Sequence, residues 1–185
     1  MSSNVKNITQ TAIFVAVLCV ISPFSLTLPV SPVPISLATF AVYIFSTILG
    51  TKKSLIGLVV YMLIGIVGLP VFSKGGSGIG VILGPTGGYL VGYFFCALGS
   101  SLGYEAGERI SSDRIVRVII LALGMVMGTV ICYLFGTVWL SYLNKLNFEA
   151  AFAAGVIPFI PGCVIKIVIS VILAVPLKNR LKLFM

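Results

Sequence analysis

The chain of 185 residues contains no histidine. That absence removes the side chain that most often serves as general base, metal ligand or proton relay, and with it Ser-His and Cys-His nucleophile pairs. A lysine base would need independent support. Charge is scarce as well: only 9% of residues are charged and four are acidic. The four cysteines, Cys19, Cys96, Cys132 and Cys163, are far apart and form no CxxC pair. Zinc, thiol redox chemistry and any other metal or cofactor are therefore not expected. A GxxxxGK[ST] loop is also missing. The fragment Gly50-Thr51-Lys52-Lys53-Ser54 lacks the first glycine and the preceding strand of such a loop, so the chain cannot hydrolyse ATP in the usual way.

What fills the space is hydrocarbon. Apolar residues make up 59% of the chain and its mean hydropathy is +1.20, far outside the range of water-soluble domains. A crossing of the bilayer core needs about 20 apolar residues. The length therefore suits roughly six crossings with no separate soluble domain, and residues 1–185 are read as one transmembrane domain. Proline and glycine punctuation divides the chain into segments of about Ile8 to Leu28, Ile35 to Gly50, Ser54 to Leu69, Pro85 to Tyr104, Ile115 to Tyr142 and Pro158 to Leu177. The second and third are short; they either extend into neighbouring residues or lie beside thinned lipid. The first has no small-x-small cleavage pattern and is read as a retained helix.

Six crossings place both termini on one side, with Lys6, Lys52, Lys53, Arg109, Arg114, Arg117, Lys178, Arg180 and Lys182; opposite lie Lys74 and Lys145. That asymmetry puts both termini in the cytoplasm. It also accounts for the net charge of +8 without nucleic acid, because the basic residues form no stripe or domain. The outer loops then run Pro29 to Pro34, Pro70 to Gly84 and Leu143 to Ile157.

Glu105, Glu108, Asp113 and Glu149 all fall in expected loops, so no carboxylate stands at membrane depth to couple transport to protons or sodium. Backbone carbonyls remain a possible sodium site. No repeat of two halves is evident. Energy for any uphill transport must then come from partner proteins. Small residues at four-residue spacing, which let helices approach closely in lipid, offer candidate contact faces. They are Ala12 and Ala16 in the first segment, Gly88, Gly92, Cys96 and Ser100 in the fourth, and Gly124, Gly128, Cys132 and Gly136 in the fifth. The latter two faces are expected to pack inside the bundle; spacing leaves the first undecided.

The stretch from Gly68 to Tyr89 is dense in glycine, with Pro85 placed for the first turn of the following helix. It reads as a compact outer loop between the third and fourth crossings rather than a tether. Apart from Arg117 at the very start of the fifth segment, Lys166 is the one charged residue inside an expected crossing, with Cys163 three positions before it and Ser170 four after, on a shared helix face. Either its stem snorkels to the outer interface or its ammonium meets an anionic ligand from outside; the helix dipole favours the second. Around the glycine loop, Thr86, Tyr89 and Ser73 offer hydrogen-bonding groups, and Phe72 and Tyr43 offer apolar contact.

Together, Pro32-Val33-Pro34-Ile35, Gly68-Leu69-Pro70-Val71-Phe72, Leu83-Gly84-Pro85-Thr86-Gly87-Gly88-Tyr89-Leu90 with Gly92, and Phe159-Ile160-Pro161-Gly162 with Lys166 resemble BioY, the biotin-binding S component of energy-coupling factor (ECF) transporters. The likeness spans nearly the whole chain in order and spacing. It implies a six-helix, multi-pass subunit of the cell membrane that captures biotin from outside. Its implied partners are a transmembrane coupling subunit and two cytoplasmic ATPases, with Ala12 and Ala16 as the face docked on the coupling subunit. The resemblance brings Gly84 and Cys163 into the substrate set with Lys166, Tyr89, Thr86, Phe72, Ser73 and Tyr43. Cys163 departs from the pattern, which carries an acidic residue after Phe-Ile-Pro-Gly; a thiol accepts hydrogen bonds poorly. Two other classes stand beside this reading. One is a solitary facilitator or channel for biotin or another small organic anion; the other, an intramembrane enzyme, lacks the usual bases and ligands.

Overall fold

The computed structural model describes residues 3–27, 29 and 31–182. It is an all-α bundle with one small hairpin. Helix α1 (Ser3–Ile21) leads into strands β1 (Ser25–Leu26) and β2 (Ile35–Ser36), then α2 (Ala38–Leu49) and α3 (Thr51–Val67). A 3-10 turn (Ser73–Gly75) and the short α4 (Ile79–Leu83) precede α5 (Gly87–Ile110) and α6 (Arg114–Asn144). Helix α7 (Phe148–Gly155), a second 3-10 turn (Ile157–Phe159) and α8 (Ile160–Lys182) complete the order.

Several boundaries differ from the sequence reading, each for a local reason. The first helix stops at Ile21, since Pro23 supplies no amide hydrogen to continue it; Leu28, its expected end, lies outside the described residues. The following chain forms an antiparallel pair, Ser25 opposite Ser36 and Leu26 opposite Ile35, instead of a plain loop. Pro85 stands just before α5 rather than in its first turn. Helix α5 runs on to Ile110, so Glu105 and Glu108 sit in its last turns and not in a loop. Asp113 caps α6 by accepting from the Ile115 amide at 2.9 Å, and Glu149 lies in the first turn of α7, inside the segment read as an outer loop.

The α5–α6 pair is the spine of the bundle, and its small residues explain why. A side chain on Gly88 would meet Gly136 and Trp139; one on Gly92 would meet the Cys132 backbone at 2.8 Å; one on Gly128 would meet Cys96 at 3.0 Å. The two expected small-residue faces therefore face each other in one antiparallel register, backbone against backbone. The opposite face of α6 carries Ile119, Leu123, Val126, Val130, Leu134 and Val138, all exposed. An apolar stripe at helical spacing on the outside is stable in lipid and costly in water, and this is a membrane protein. By length and composition, α6 and the α7–α8 run from Phe148 to Arg180 can each cross a bilayer.

Helix α1 packs on α3 by laying Phe14 into the space left at Gly57, and on α2 by stacking Phe14 against Phe45 at 5.3 Å. The glycine-rich stretch is ordered by its own backbone. Gly68 ends α3 in the left-handed region (φ 116°), which a glycine enters at no steric cost. The Gly78 amide then returns to the Gly65 carbonyl at 2.7 Å, and the Lys74 amide reaches the Ser25 hydroxyl at 3.0 Å. The loop is thereby tied both to α3 and to the hairpin.

Candidate ligand-binding site

Lys166 emerges from the second turn of α8 and turns inward. Its ammonium donates to the Ser36 carbonyl at 2.5 Å and to the Thr39 hydroxyl at 3.2 Å. Both partners are neutral oxygens, so the cation keeps its full charge for another anion. The side chain points to β2 and the start of α2. Ser170, one turn deeper on the same face, is fully buried and its hydroxyl has no hydrogen-bond partner among the described residues.

Above the ammonium lies a cavity of about 50 Å³, walled by the hairpin, α2, the glycine-rich loop, α5, α6 and α8. Of the residues expected in the site, Lys166, Tyr89, Thr86, Phe72 and Ser73 line it. Gly84, Tyr43 and Cys163 do not. Gly84 instead gives its carbonyl to the Trp139 indole at 2.8 Å, fixing the entrance to α5. Tyr43 is fully buried below the cavity. Because the Thr129 hydroxyl already donates to the Met125 carbonyl at 2.7 Å, the Tyr43 hydroxyl is the donor in its 2.5 Å bond to Thr129. The Cys163 thiol lies 4.0 Å from that same tyrosine oxygen and faces a separate crevice between α6 and α8.

The sequence reading missed Ser36, Thr39, Tyr93, Tyr133 and Phe159 as site residues, although Phe159 stood in a quoted motif. Tyr89, Tyr133 and Phe159 form an aromatic wall with ring centroids 6.4 to 6.5 Å apart. The Tyr89 hydroxyl donates to the Gly155 carbonyl at 2.9 Å, which pins α5 to the end of α7. A chamber with one cation, a few neutral oxygens and an aromatic wall suits a small amphipathic anion.

A buried hydrogen-bond chain holds the floor and the lid together. The Ser36 hydroxyl accepts from the Ala38 amide at 3.0 Å and donates to the Ser22 carbonyl at 3.1 Å. The Ser22 hydroxyl meets the Tyr61 hydroxyl at 2.6 Å, and Tyr61 donates onward to the Val71 carbonyl at 3.1 Å. Val71 precedes Phe72, whose ring packs into the space at Gly65 and edge-on to Tyr61 at 5.6 Å. The residue that receives Lys166 and the loop that covers the cavity are thus parts of one network.

On the other side of the bundle, Ala12 and Ala16 are exposed on α1. They border a groove of about 1070 Å³ between α1 and α3, with Ile56, Val60 and Ile64 along its wall and Lys52, Lys53 and Glu105 at one end. Lys53 donates to Gln10 at 2.7 Å across that end. The face is separate from the cavity.

The BioY family model matches residues 1–183. The biotin transporter BioY2 of Lactococcus lactis subsp. cremoris is 31% identical over 180 residues, 97% of this chain and 94% of that protein. A probable biotin transporter BioY of Pyrococcus horikoshii is 32% identical over 175 residues, 95% of this chain and 98% of that protein. The fold also matches the crystal structure of the S-component for biotin from an ECF-type ABC transporter, with TM-score 0.82, 25% identity, and coverage of 98% of this chain and 94% of that one.

Proposed function

The chain belongs to the BioY family, and we propose that it is the biotin-binding S component of an ECF-type transporter, a transport subunit and not an enzyme. The observation that carries the site assignment is Lys166, a membrane-embedded cation held by neutral oxygens on the wall of a cavity. Biotin pairs a compact ureido head and an apolar bicycle with a carboxylate. Such a molecule needs an aromatic wall, a few hydrogen-bonding groups and one cation, which Tyr89, Phe72, Thr86, Ser73 and Lys166 supply.

The subunit sits in the cell membrane with six crossings, α1, α2, α3, α5, α6 and α8, and both termini in the cytoplasm. In this arrangement α4 and α7 belong to the outer side. The excess of basic residues on the terminal side supports the orientation. At 12 residues, α2 spans only about 18 Å, which fits a helix sheltered by its neighbours in locally thinned lipid.

A transmembrane coupling subunit and two cytoplasmic ATPases supply the energy. Ala12 and Ala16 form the docking face, an assignment supported by their exposure on a groove left open by this chain's own packing. Reconstitution tests this division of labour. Vesicles holding the subunit alone bind external biotin without concentrating it, whereas vesicles that also hold the coupling subunit and ATPases concentrate it when ATP is inside. Rapid downhill flux through the isolated subunit would instead identify a facilitator.

A further inference from the structure

Tyr133 lines two spaces at once. One side faces the cavity above Lys166; the other faces the crevice between α6 and α8, of about 390 Å³. The cavity, at about 50 Å³, holds only about four waters at 10–15 Å³ each, too little for a molecule of biotin's size. The crevice is several times larger and opens outward on the lipid-facing side of α6: Val130, Leu134, Ile160 and Val164 on its apolar walls are exposed, while Ile167 is buried. Tyr133 is also the less firmly held member of the aromatic wall: its hydroxyl has the Cys163 thiol as partner, a weak one, whereas Tyr89 is anchored on the Gly155 carbonyl.

We propose that the α6–α8 crevice, open toward lipid, is a second, apolar compartment of the ligand site, and that the Tyr133 ring is the partition that sets how long a ligand the site accepts. The proposal rests on the biotin reading above. The occupant of the crevice is an apolar extension of the bound ligand itself, reached through a wall the two spaces share. It holds whichever end of the ligand meets Lys166. If the carboxylate is anchored there, a longer chain drives the bicycle toward the aromatic wall; if the head is anchored, it drives the acid chain there.

The test uses biotin and a series of analogues whose acid chain is lengthened by one to four methylenes, all retaining the carboxylate, titrated against the purified subunit in detergent. Wild-type protein is expected to lose affinity with each added methylene. Tyr133→Ala and Tyr133→Leu are expected to reverse the trend, gaining up to about fourfold per methylene buried. Tyr133→Phe, which keeps the ring, retains the wild-type trend. Adding Val130→Trp to Tyr133→Leu fills the crevice and cancels the gain.

A pair of cavity variants that remain folded by thermal melting and discriminate against longer chains as wild type does overturns the proposal, as does a gain that survives Val130→Trp. A lipid chain permanently filling the crevice would give the first of these results. Two substitutions guard against one of them failing to fold. Absence of biotin binding to folded wild-type protein counts against the biotin reading itself, and that arm is read before the series.

Discussion

The ammonium of Lys166 on α8 donates to the carbonyl of Ser36 at the end of β2, 130 positions earlier in the chain. That bond joins the last long helix to the hairpin at the floor of the cavity. It also explains how a cation persists at membrane depth without a carboxylate. Carbonyl and hydroxyl oxygens lower the cost of burying it while leaving its charge unneutralised.

Replacing Lys166 with methionine keeps the length and apolar stem while removing the charge. Affinity for biotin is expected to fall by about 10- to 100-fold, the range of one hydrogen bond to a charged group. The methyl ester of biotin should lose far less. Isothermal titration with both ligands checks this, and equal losses would show that Lys166 does not meet the carboxylate.

Ser22 and Tyr61 are expected to act on binding without touching ligand. Ser22→Ala leaves the Tyr61 hydroxyl one partner short in a buried chain, which costs about 1–3 kcal/mol. Because the chain ends on Val71, beside the covering Phe72, the predicted result is a faster biotin off-rate with little change in on-rate. Stopped-flow measurement of the two rates separates this from a general loss of stability.

Gly92→Ala is expected to destabilise the bundle by about 1–3 kcal/mol, since the added methyl would lie 2.8 Å from the Cys132 backbone on the facing helix. The exposed Val91→Ala, its neighbour in sequence, should change stability by less than about 0.5 kcal/mol. Thermal unfolding in detergent, compared between the two variants, is the check.

Ala12→Leu with Ala16→Leu is predicted to leave biotin binding and melting temperature unchanged while abolishing co-purification with the coupling subunit. Both positions are exposed, so bulk added there does not enter this chain's own core and would obstruct a partner docked on this face. Loss of the isolated fold would place the face inside the bundle instead.

Much of the architecture was legible because its signals are local. Proline and glycine mark most helix ends, and the small residues of α5 and α6 recur at the spacing that brings Gly92 against Cys132. Lys166 stood out by its charge alone. What escaped was rotation and long-range convergence. In a chain where nearly every helix face is apolar, Tyr43 and Tyr133 look alike, yet one caps Thr129 below the site and the other walls the cavity. Ser36 and Thr39 became site residues only through Lys166, far along the chain. The helix between α6 and α8 was hidden because Phe148–Gly155 is too short to cross a bilayer. Its Asn147 cap, which accepts from the Ala150 amide at 2.8 Å, was the available signal.

The central claim is that the cavity around Lys166 captures biotin in the absence of any other protein. Equilibrium titration of the purified, folded subunit with labelled biotin, competed by a panel of other vitamins, addresses it most directly. Saturation at one biotin per chain, displaced by unlabelled biotin and by no other vitamin, is the predicted result. A folded subunit that shows no saturable biotin binding, or that another vitamin occupies in preference, would contradict it.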